Sequence, residues 1–241
     1  MQLVEFSTNI PEKQIALDEL LLRKAEAGEM GEALHFWEAK EYYIVVGRAC
    51  RIEEDCFEES CARDNMKILR RISGGGTVLQ GPGCLNYSAI LSYENDEGYG
   101  SVGTSYKVIL KRISDALEEK DFNVEFRTVS DLALDGRKIS GNAQARKKKY
   151  FLHHGTFLYD FDLDKIPRYL KHPSREPEYR EARLHKDFLK NIPMRKEELE
   201  DVIKKAFSCG KDIWIPSNEE LKNLKLLVKE KYESSNWNRA L

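Results

Sequence analysis

The run from Leu132 to Tyr159 leaves the fewest choices for the fold of this 241-residue chain. Leu132–Leu134 and Arg137–Ala145 are rich in strand formers and are separated by Asp135-Gly136, a two-residue turn that accepts positive φ and closes a hairpin. A second turn at Arg146–Lys149 leads into another strand-forming run, Tyr150–Tyr159. The centre of the chain therefore has to hold hairpin-connected sheet.

Helical signals bracket that centre. Asn9-Ile10-Pro11 opens a helical stretch with apolar positions at Ile15, Leu17, Leu20, Leu21 and Leu22, and Gly28 is placed to stop it. Ala33–Ala39 and Tyr42–Gly47, parted by Lys40-Glu41, read as a further hairpin, and Lys67–Ile72 and Leu85–Leu91 as further strands. After a polar loop from Tyr93 to Gly103, Tyr106, Ile109, Leu110, Ile113 and Leu117 form one apolar stripe on a helix ending near Lys120. Phe122–Phe126 alternates as a strand. In the last third, Arg195–Phe207 and Glu219–Tyr232 are charged helical segments, the second opened by Ser217 and Glu220 in capping-box spacing, and Ile213–Ile215 is a short strand. With no internal repeat or low-complexity linker, the strand-rich centre flanked by helices is expected to be one α+β domain. A second boundary, if present, falls near Lys171–Pro177.

Charge and cysteine content narrow the function classes. Lys and Arg total 39 against 41 Asp and Glu, a net charge of −2, so no global field draws the chain onto nucleic acid or anionic lipid. The five cysteines include no C-x-x-C pair and no histidine completes a zinc set around Cys56 and Cys61, so reduced thiols are expected. The N-terminus lacks a charged segment followed by an apolar one, and no apolar run approaches the ~18 residues of a membrane span. These features lead us to expect a cytoplasmic protein with no membrane or nucleic-acid partner.

Three constellations carry chemistry. In Arg70-Arg71-Ile72-Ser73-Gly74-Gly75-Gly76-Thr77, consecutive glycines serve either a plain turn or a close backbone approach to a ligand, where their N–H groups can cradle a carboxylate or phosphate. The adjacent guanidinium groups favour an anionic ligand. In Gly136-Arg137-Lys138-Ile139-Ser140-Gly141-Asn142-Ala143, period-two alternation predicts that Lys138, Ser140 and Asn142 share one strand face. Such a face suits a polar ligand or, equally, solvent at an edge hairpin. The third is His153-His154-Gly155-Thr156 between apolar pairs, where a core histidine and a site histidine are both admissible and no serine or cysteine partner can be assigned. Arg146–Lys149 reads as a solvated hairpin tip.

Taken in order, RRISGGGTV at 70–78, GRKISGNAQ at 136–144 and LHHGTFLYDFDL at 152–163 closely resemble the lipoate–protein ligase A family of the biotin/lipoyl ligase superfamily. Tyr232 and Trp237-Asn238 look like the aromatic signature that closes the catalytic domain in these ligases. The resemblance implies a single catalytic domain over residues 1–241, with a central, mostly antiparallel sheet flanked by helices, and without the C-terminal accessory domain of longer ligases. A separately encoded partner would then supply any function of that domain. It implies the activation of lipoate or octanoate by ATP, with Mg entering alongside the nucleotide, no metal held by the protein alone and no permanently bound cofactor. The acceptor would be a lysine on a lipoyl domain of a 2-oxoacid dehydrogenase acyltransferase subunit or on the glycine cleavage H protein. By motif, Arg70, Ser73, Gly74, Gly75, Gly76, His154 and Gly155 would hold the acyl chain, and Thr77, Asp131, Lys138, Ser140, Gly141, Asn142 and Ala143 the adenylate. Lys138 would stabilise charge at the carboxylate and α-phosphate. Arg146–Lys149 could then aid docking of an acidic lipoyl domain.

The sequence departs from the family in three places. Leu79 to Asn86 contains Gly81-Pro82-Gly83-Cys84 in place of a FHDLGN-like segment, a feature closer to octanoyltransferases, which use a cysteine thioester. Yet no thiol lies between Cys84 and Cys209. Arg175–His185 replaces the ligases' basic loop, with Arg180 and Arg183 as possible contacts. Gly47-Arg48-Ala49-Cys50 keeps Arg48 but not the polar amides. Octanoyl transfer or lipoyl amidotransfer between carrier proteins is the alternative activity, and a non-catalytic relative the second alternative. No GRGRxxR-type loop of the biotin branch is present.

Overall fold

The computed structural model describes residues 1–173 and 175–240; the candidate boundary near 171–177 thus includes one residue, Ser174, outside the described residues. The strands are β1 Gln2–Val4, β2 Ala33–Glu38, β3 Tyr43–Val46, β4 Ile68–Arg70, β5 Val78–Gln80, β6 Cys84–Ser92, β7 Val124–Arg127, β8 Asp131–Leu134, β9 Arg137–Arg146, β10 Tyr150–Leu158 and β11 Ile213–Trp214. The helices are α1 Pro11–Ala27, α2 Ile52–Asp55, α3 Glu58–Arg63, α4 Val102–Glu118, α5 Ile166–Tyr169, α6 His185–Phe188, α7 Lys196–Ala206, α8 Asn218–Leu227 and α9 Ser235–Asn238.

Eight strands make one sheet in the order β11-β1-β2-β6-β10-β9-β8-β7, parallel only at β11–β1–β2 and antiparallel elsewhere. A second sheet, β4-β3-β5, stands apart. The fold is a single α+β domain. Asp135 (φ 52) and Gly136 (φ 69) make the tight β8–β9 turn as the sequence implies.

The expected hairpin between 33–39 and 42–47 does not form. Both edges of β2 are already taken, by β1 and β6, and β3 crosses to the small sheet to pair with β4 and β5. Local turn residues could not show this, because the competing partner β1 lies about thirty residues upstream.

Residues opposite one another in an antiparallel pair share a face. On one face of the large sheet Leu85, Tyr87, Ala89, Phe151 and Phe157 pack with Leu132 against α4 and α7. On the other, Ile90 and Leu152 pack against α1 and α8. Helix α1 has Pro at its first turn and ends on Gly28 in the left-handed region (φ 78), while Ser101 caps α4 by accepting from the Thr104 N–H. Each fully buried Leu or Phe of these layers stabilises the fold by about 1.5–3 kcal/mol. Past α8, a π-helical turn at Val228–Tyr232 points Tyr232 inward, where its hydroxyl donates to Glu19 on α1 at 2.6 Å. Asn238 and Trp237 then seal the free edge of β4: the Arg70 N–H donates to Asn238 Oδ1 at 3.0 Å and Trp237 Nε1 donates to the Arg70 carbonyl at 2.8 Å. No helix among the described residues is long and apolar enough to cross a membrane.

Candidate active site

A cavity of about 160 Å³ lies between the two sheets and α1. Ile15 and Asp18 come from α1, Trp37, Asn86, Tyr87, Ser88, Asp131, Lys138, Gly141, Asn142, Ala143, His154, Gly155 and Thr156 from the large sheet, and Arg71, Gly75, Gly76, Thr77 and Val78 from the glycine loop and β5. The three constellations singled out in the sequence therefore converge on one wall. A larger hollow of about 370 Å³, between α3 and α9, contains no residue of the three constellations.

The polar face of β9 differs from the alternation expected. Asp131 pairs with Gly141 and Leu132 with Ser140, but Ala133 pairs with Lys138, so a bulge inserts Ile139 between them. The inserted residue reverses the parity. Lys138 joins Gly141 and Ala143 on the cavity face, whereas Ser140 and Asn142 lie opposite Phe157 and Gly155 on the face that packs on α4. A Cβ at Gly141 would come within 2.8 Å of Lys138 Nζ and Cε and push the ammonium aside, so this glycine leaves the lysine its place. Gly155 has a different reason: its Cβ would fall 1.9 Å from Asn142 Oδ1, so its space is filled by a protein amide rather than by a ligand. Asn142 accepts from Tyr87 at 2.6 Å and donates to the Ser130 carbonyl at 2.8 Å.

Lys138 Nζ stands 2.8 Å from Asp131 Oδ1, and Asp131 Oδ2 accepts from Tyr179 at 2.8 Å. The carboxylate thus uses one oxygen for each partner. Lys138 is about a quarter exposed and can reach an anion in the cavity while leaning on Asp131.

His154 is held at both nitrogens, with Nδ1 2.8 Å from Asp18 Oδ2 and Nε2 2.6 Å from Ser73 Oγ. Ser73 also accepts from Arg71 Nε at 2.9 Å, so one hydroxyl links the guanidinium to the imidazole. Despite the Ser-His-Asp order, Ser73 is 1% exposed and does not line the cavity. The chain of bonds locks the histidine and the loop in place. His153, one residue earlier, faces the opposite core, where burial and then the neighbouring His154 push its pKa down to about 3. Its Nε2–H donates to Tyr87 at 3.0 Å and its Nδ1 accepts from Gln144 at 3.2 Å.

Both arginines of the first motif bind main chain. Arg71 donates to the carbonyls of Gly74 at 2.5 Å, Gly76 at 2.8 Å and Val45 at 3.3 Å, which fixes the glycine loop; burial lowers its pKa to about 10. Arg70 is 1% exposed and does not border the cavity: it donates to the carbonyls of Gly47, Arg48, Cys50 and Trp237. Thr77 donates to Asp55 at 2.5 Å from the cavity rim. Around Gly74 and Gly76 a Cβ would meet nothing within 4 Å, leaving space for a ligand to approach the backbone.

The remaining residues of the sequence reading stand off the wall. Arg48 is exposed, and Ser140 and Gly74 do not line the cavity. Arg180 is buried against Phe188 and pairs with Glu176 at 3.2 Å, and Arg183 donates to the Gly136 carbonyl at 3.1 Å, so both brace the 176–190 segment. At the far hairpin, Arg146 bonds Gln144 and Ser105, while Glu26 accepts from the N–H groups of Lys148, Lys149 and Tyr150. That turn lies about 25 Å along β9 from Lys138, at ~3.3 Å per residue.

Sequence reasoning missed Asp18, Trp37, Ser88 and Tyr179. An acid inside the apolar run of α1 is a signal that would have found Asp18. Asp18 Oδ1, Trp37 Nε1 and Ser88 Oγ are buried on the cavity wall without a protein partner, which leaves hydrogen-bonding capacity there for a ligand or water. None of the five cysteines lines the cavity. Cys84 is in the small core beneath β3 and β5, its thiol pushed up to about 12 by burial and then by Glu38, and Cys50 donates to the Gly75 carbonyl at 3.3 Å.

Comparison with known proteins identifies the family and the fold. Residues 10–208 match the lipoyl protein ligase A/B catalytic domain. An octanoyltransferase, LipM, from Halalkalibacterium halodurans is 25% identical over 95% of this chain and 94% of its own length. Lipoate–protein ligase 1 from Staphylococcus aureus is 26% identical over 95% of this chain and 70% of its own length. A lipoate-protein ligase A bound with ATP shares the fold, with a TM-score of 0.85 and 20% identity over all of this chain and 98% of that one. The chain belongs to the lipoyl protein ligase A/B catalytic domain family.

Proposed function

We propose that this protein is a lipoate–protein ligase that forms an acyl-adenylate from lipoate or octanoate and ATP. The observation that carries this reading is a cavity wall with a lysine ammonium beside the glycine loop and with no thiol on it. A cysteine-dependent transferase needs a nucleophilic sulfur at the acyl group. Adenylation needs only positioning and charge stabilisation.

In the first step a carboxylate oxygen attacks the α-phosphorus, and the bond to the departing pyrophosphate breaks. Lys138 would stabilise the negative charge on carboxylate and phosphate, while the N–H groups of the Arg71-braced glycine loop offer further donors. Thr77, Asp131, Gly141 and Ala143 would border the adenylate, with His154, Gly75, Gly76 and the apolar Ile15, Val45 and Val78 along the acyl chain. In the second step the deprotonated ε-amine of a lipoyl-domain lysine attacks the acyl carbon and AMP leaves. Mg would arrive with the ATP phosphates, and Asp131 is a carboxylate beside Lys138.

Lipoyl or octanoyl transfer is common to both kinds of relative, and the similarity to octanoyltransferases along the whole chain favours octanoyl transfer as the second reading. Lipoate-dependent ATP–pyrophosphate exchange separates the two. Exchange in the wild type that disappears in Lys138→Ala supports the ligase. No exchange, together with a hydroxylamine-sensitive octanoyl adduct on a cysteine, supports the transferase. Exchange by the purified chain alone would remove the need for a separately encoded accessory domain.

A further inference from the structure

The segment 176–190 grips the β8–β9 hairpin at its turn. Arg137 donates to the Lys186 and Leu189 carbonyls at 2.7 and 2.5 Å, Arg183 to the Gly136 carbonyl at 3.1 Å, and the Lys190 N–H to the Lys138 carbonyl at 2.9 Å. Each of these contacts ends on main chain. Tyr179 is different, because its hydroxyl reaches the side chain of Asp131, and through it the ammonium of Lys138.

A carboxylate bonded at one oxygen alone can turn about its Cβ–Cγ axis, and an ammonium that leans on it turns with it. With Tyr179 on Oδ2, the plane of Asp131 is fixed and Oδ1 presents one direction to Lys138. The phenol is itself held. Its ring packs on Phe188 at 5.1 Å between centroids, the Arg127 guanidinium lies 5.9 Å from the ring centre, and the Arg183 guanidinium donates to the Tyr179 carbonyl at 2.6 Å. Burial, and then the charge of Asp131, push the phenol far above its ordinary range, so it stays protonated and donates. Facing it are Asp131, Arg127, Arg183 and, by charge, Arg180.

We infer that Tyr179 is a positioning residue for acyl activation, acting through Asp131 to aim the Lys138 ammonium at the reacting carboxylate and phosphate. The inference rests on the role proposed for Lys138. It also assigns a purpose to the 176–190 segment, whose grip on the hairpin turn carries the phenol to a carboxylate on the far side of Lys138.

Tyr179→Phe keeps the ring and removes only the hydroxyl. Two measurements are made on the full chain, in the wild-type and Asp131→Asn backgrounds. The first is the rate at which a small acylating reagent labels the Lys138 amine, read by mass spectrometry. The second is kcat and KM for lipoate in transfer to a lipoyl domain. We expect labelling to rise about threefold and kcat to fall about tenfold, the scale of one lost hydrogen bond, with KM changed less than about twofold. Both effects should vanish in Asp131→Asn, where the link is already broken. Unchanged labelling in Tyr179→Phe, or the same change in both backgrounds, overturns the inference. Wild-type protein without pyrophosphate exchange overturns the ligase reading instead, and the labelling comparison still decides the link from Tyr179 to Lys138.

Discussion

His153 and His154 are chain neighbours on one strand, yet they sit on opposite sides of the large sheet and in opposite chemical surroundings. His154 borders the cavity and is held between Asp18 and Ser73. His153 is fully buried with Tyr87 and Gln144 under α4, off the cavity wall. The difference teaches that this sheet has a chemical face and a structural face, and that identity of residue type says little about which one a residue serves. Lys138 and Asn142 on the adjacent strand repeat the lesson: the lysine points its ammonium into the cavity, while the asparagine touches the cavity but spends its amide on Tyr87 and the Ser130 carbonyl.

Changes on each face should separate accordingly. The largest effect is expected from Lys138→Ala, which should lower kcat in pyrophosphate exchange by about 10²–10³, as for loss of one preorganised electrostatic group, and leave the unfolding midpoint nearly unmoved. A loss of stability as large as the loss of rate would break the division. On the structural face, Gly155→Ala drives a Cβ into Asn142 and Tyr87, both buried and hydrogen-bonded. Overpacking of this kind costs about 1–3 kcal/mol, readable as a shift in the urea midpoint.

A smaller effect concerns pH. Because burial pushes the His153 pKa down to about 3 from its ordinary 6.5, the unfolded chain takes up a proton that the folded one refuses. Its contribution to stability is intact above about pH 6.5 and is lost as pH falls from there toward 3. Thermal melts of wild type and His153→Gln between pH 7 and 5 should show a shallower decline in the variant; parallel declines would place the titration elsewhere. The smallest effect is expected from neutralising Lys147, Lys148 and Lys149. The turn is pinned by Glu26 and remote from Lys138, so KM for the lipoyl domain should change by less than about twofold. A steeper, salt-dependent loss would support this turn as a docking patch.

The helices and most of the large sheet were legible because their signals are local: Pro11 and Gly28 around an apolar run, the stripe from Tyr106 to Leu117, and Asp135-Gly136 between two strands. The position of β3 was not. Its four residues, all buried, pair with equal ease on either side, and only the packing of β1 against β2 decides the outcome. In the site, the three motifs converge as the resemblance implied, but the part played by each residue needed coordinates. Arg70 and Arg71 are adjacent and alike in sequence, and only Arg71 borders the cavity. Tyr179 carries no motif of its own and gains meaning from Asp131, 48 positions upstream.

The bulge at Ile139 makes the count of residues in the β8–β9 hairpin as consequential as their identity. Between Asp131 and Gly141, an insertion or deletion of one residue would swap which side of the sheet receives the ammonium, even with every motif letter retained. Loops elsewhere on the molecule can drift in length over evolution, but this hairpin behaves as a reading frame. A relative carrying the same letters with one residue more or fewer there should be examined first for loss of activity, however closely the rest of its sequence agrees.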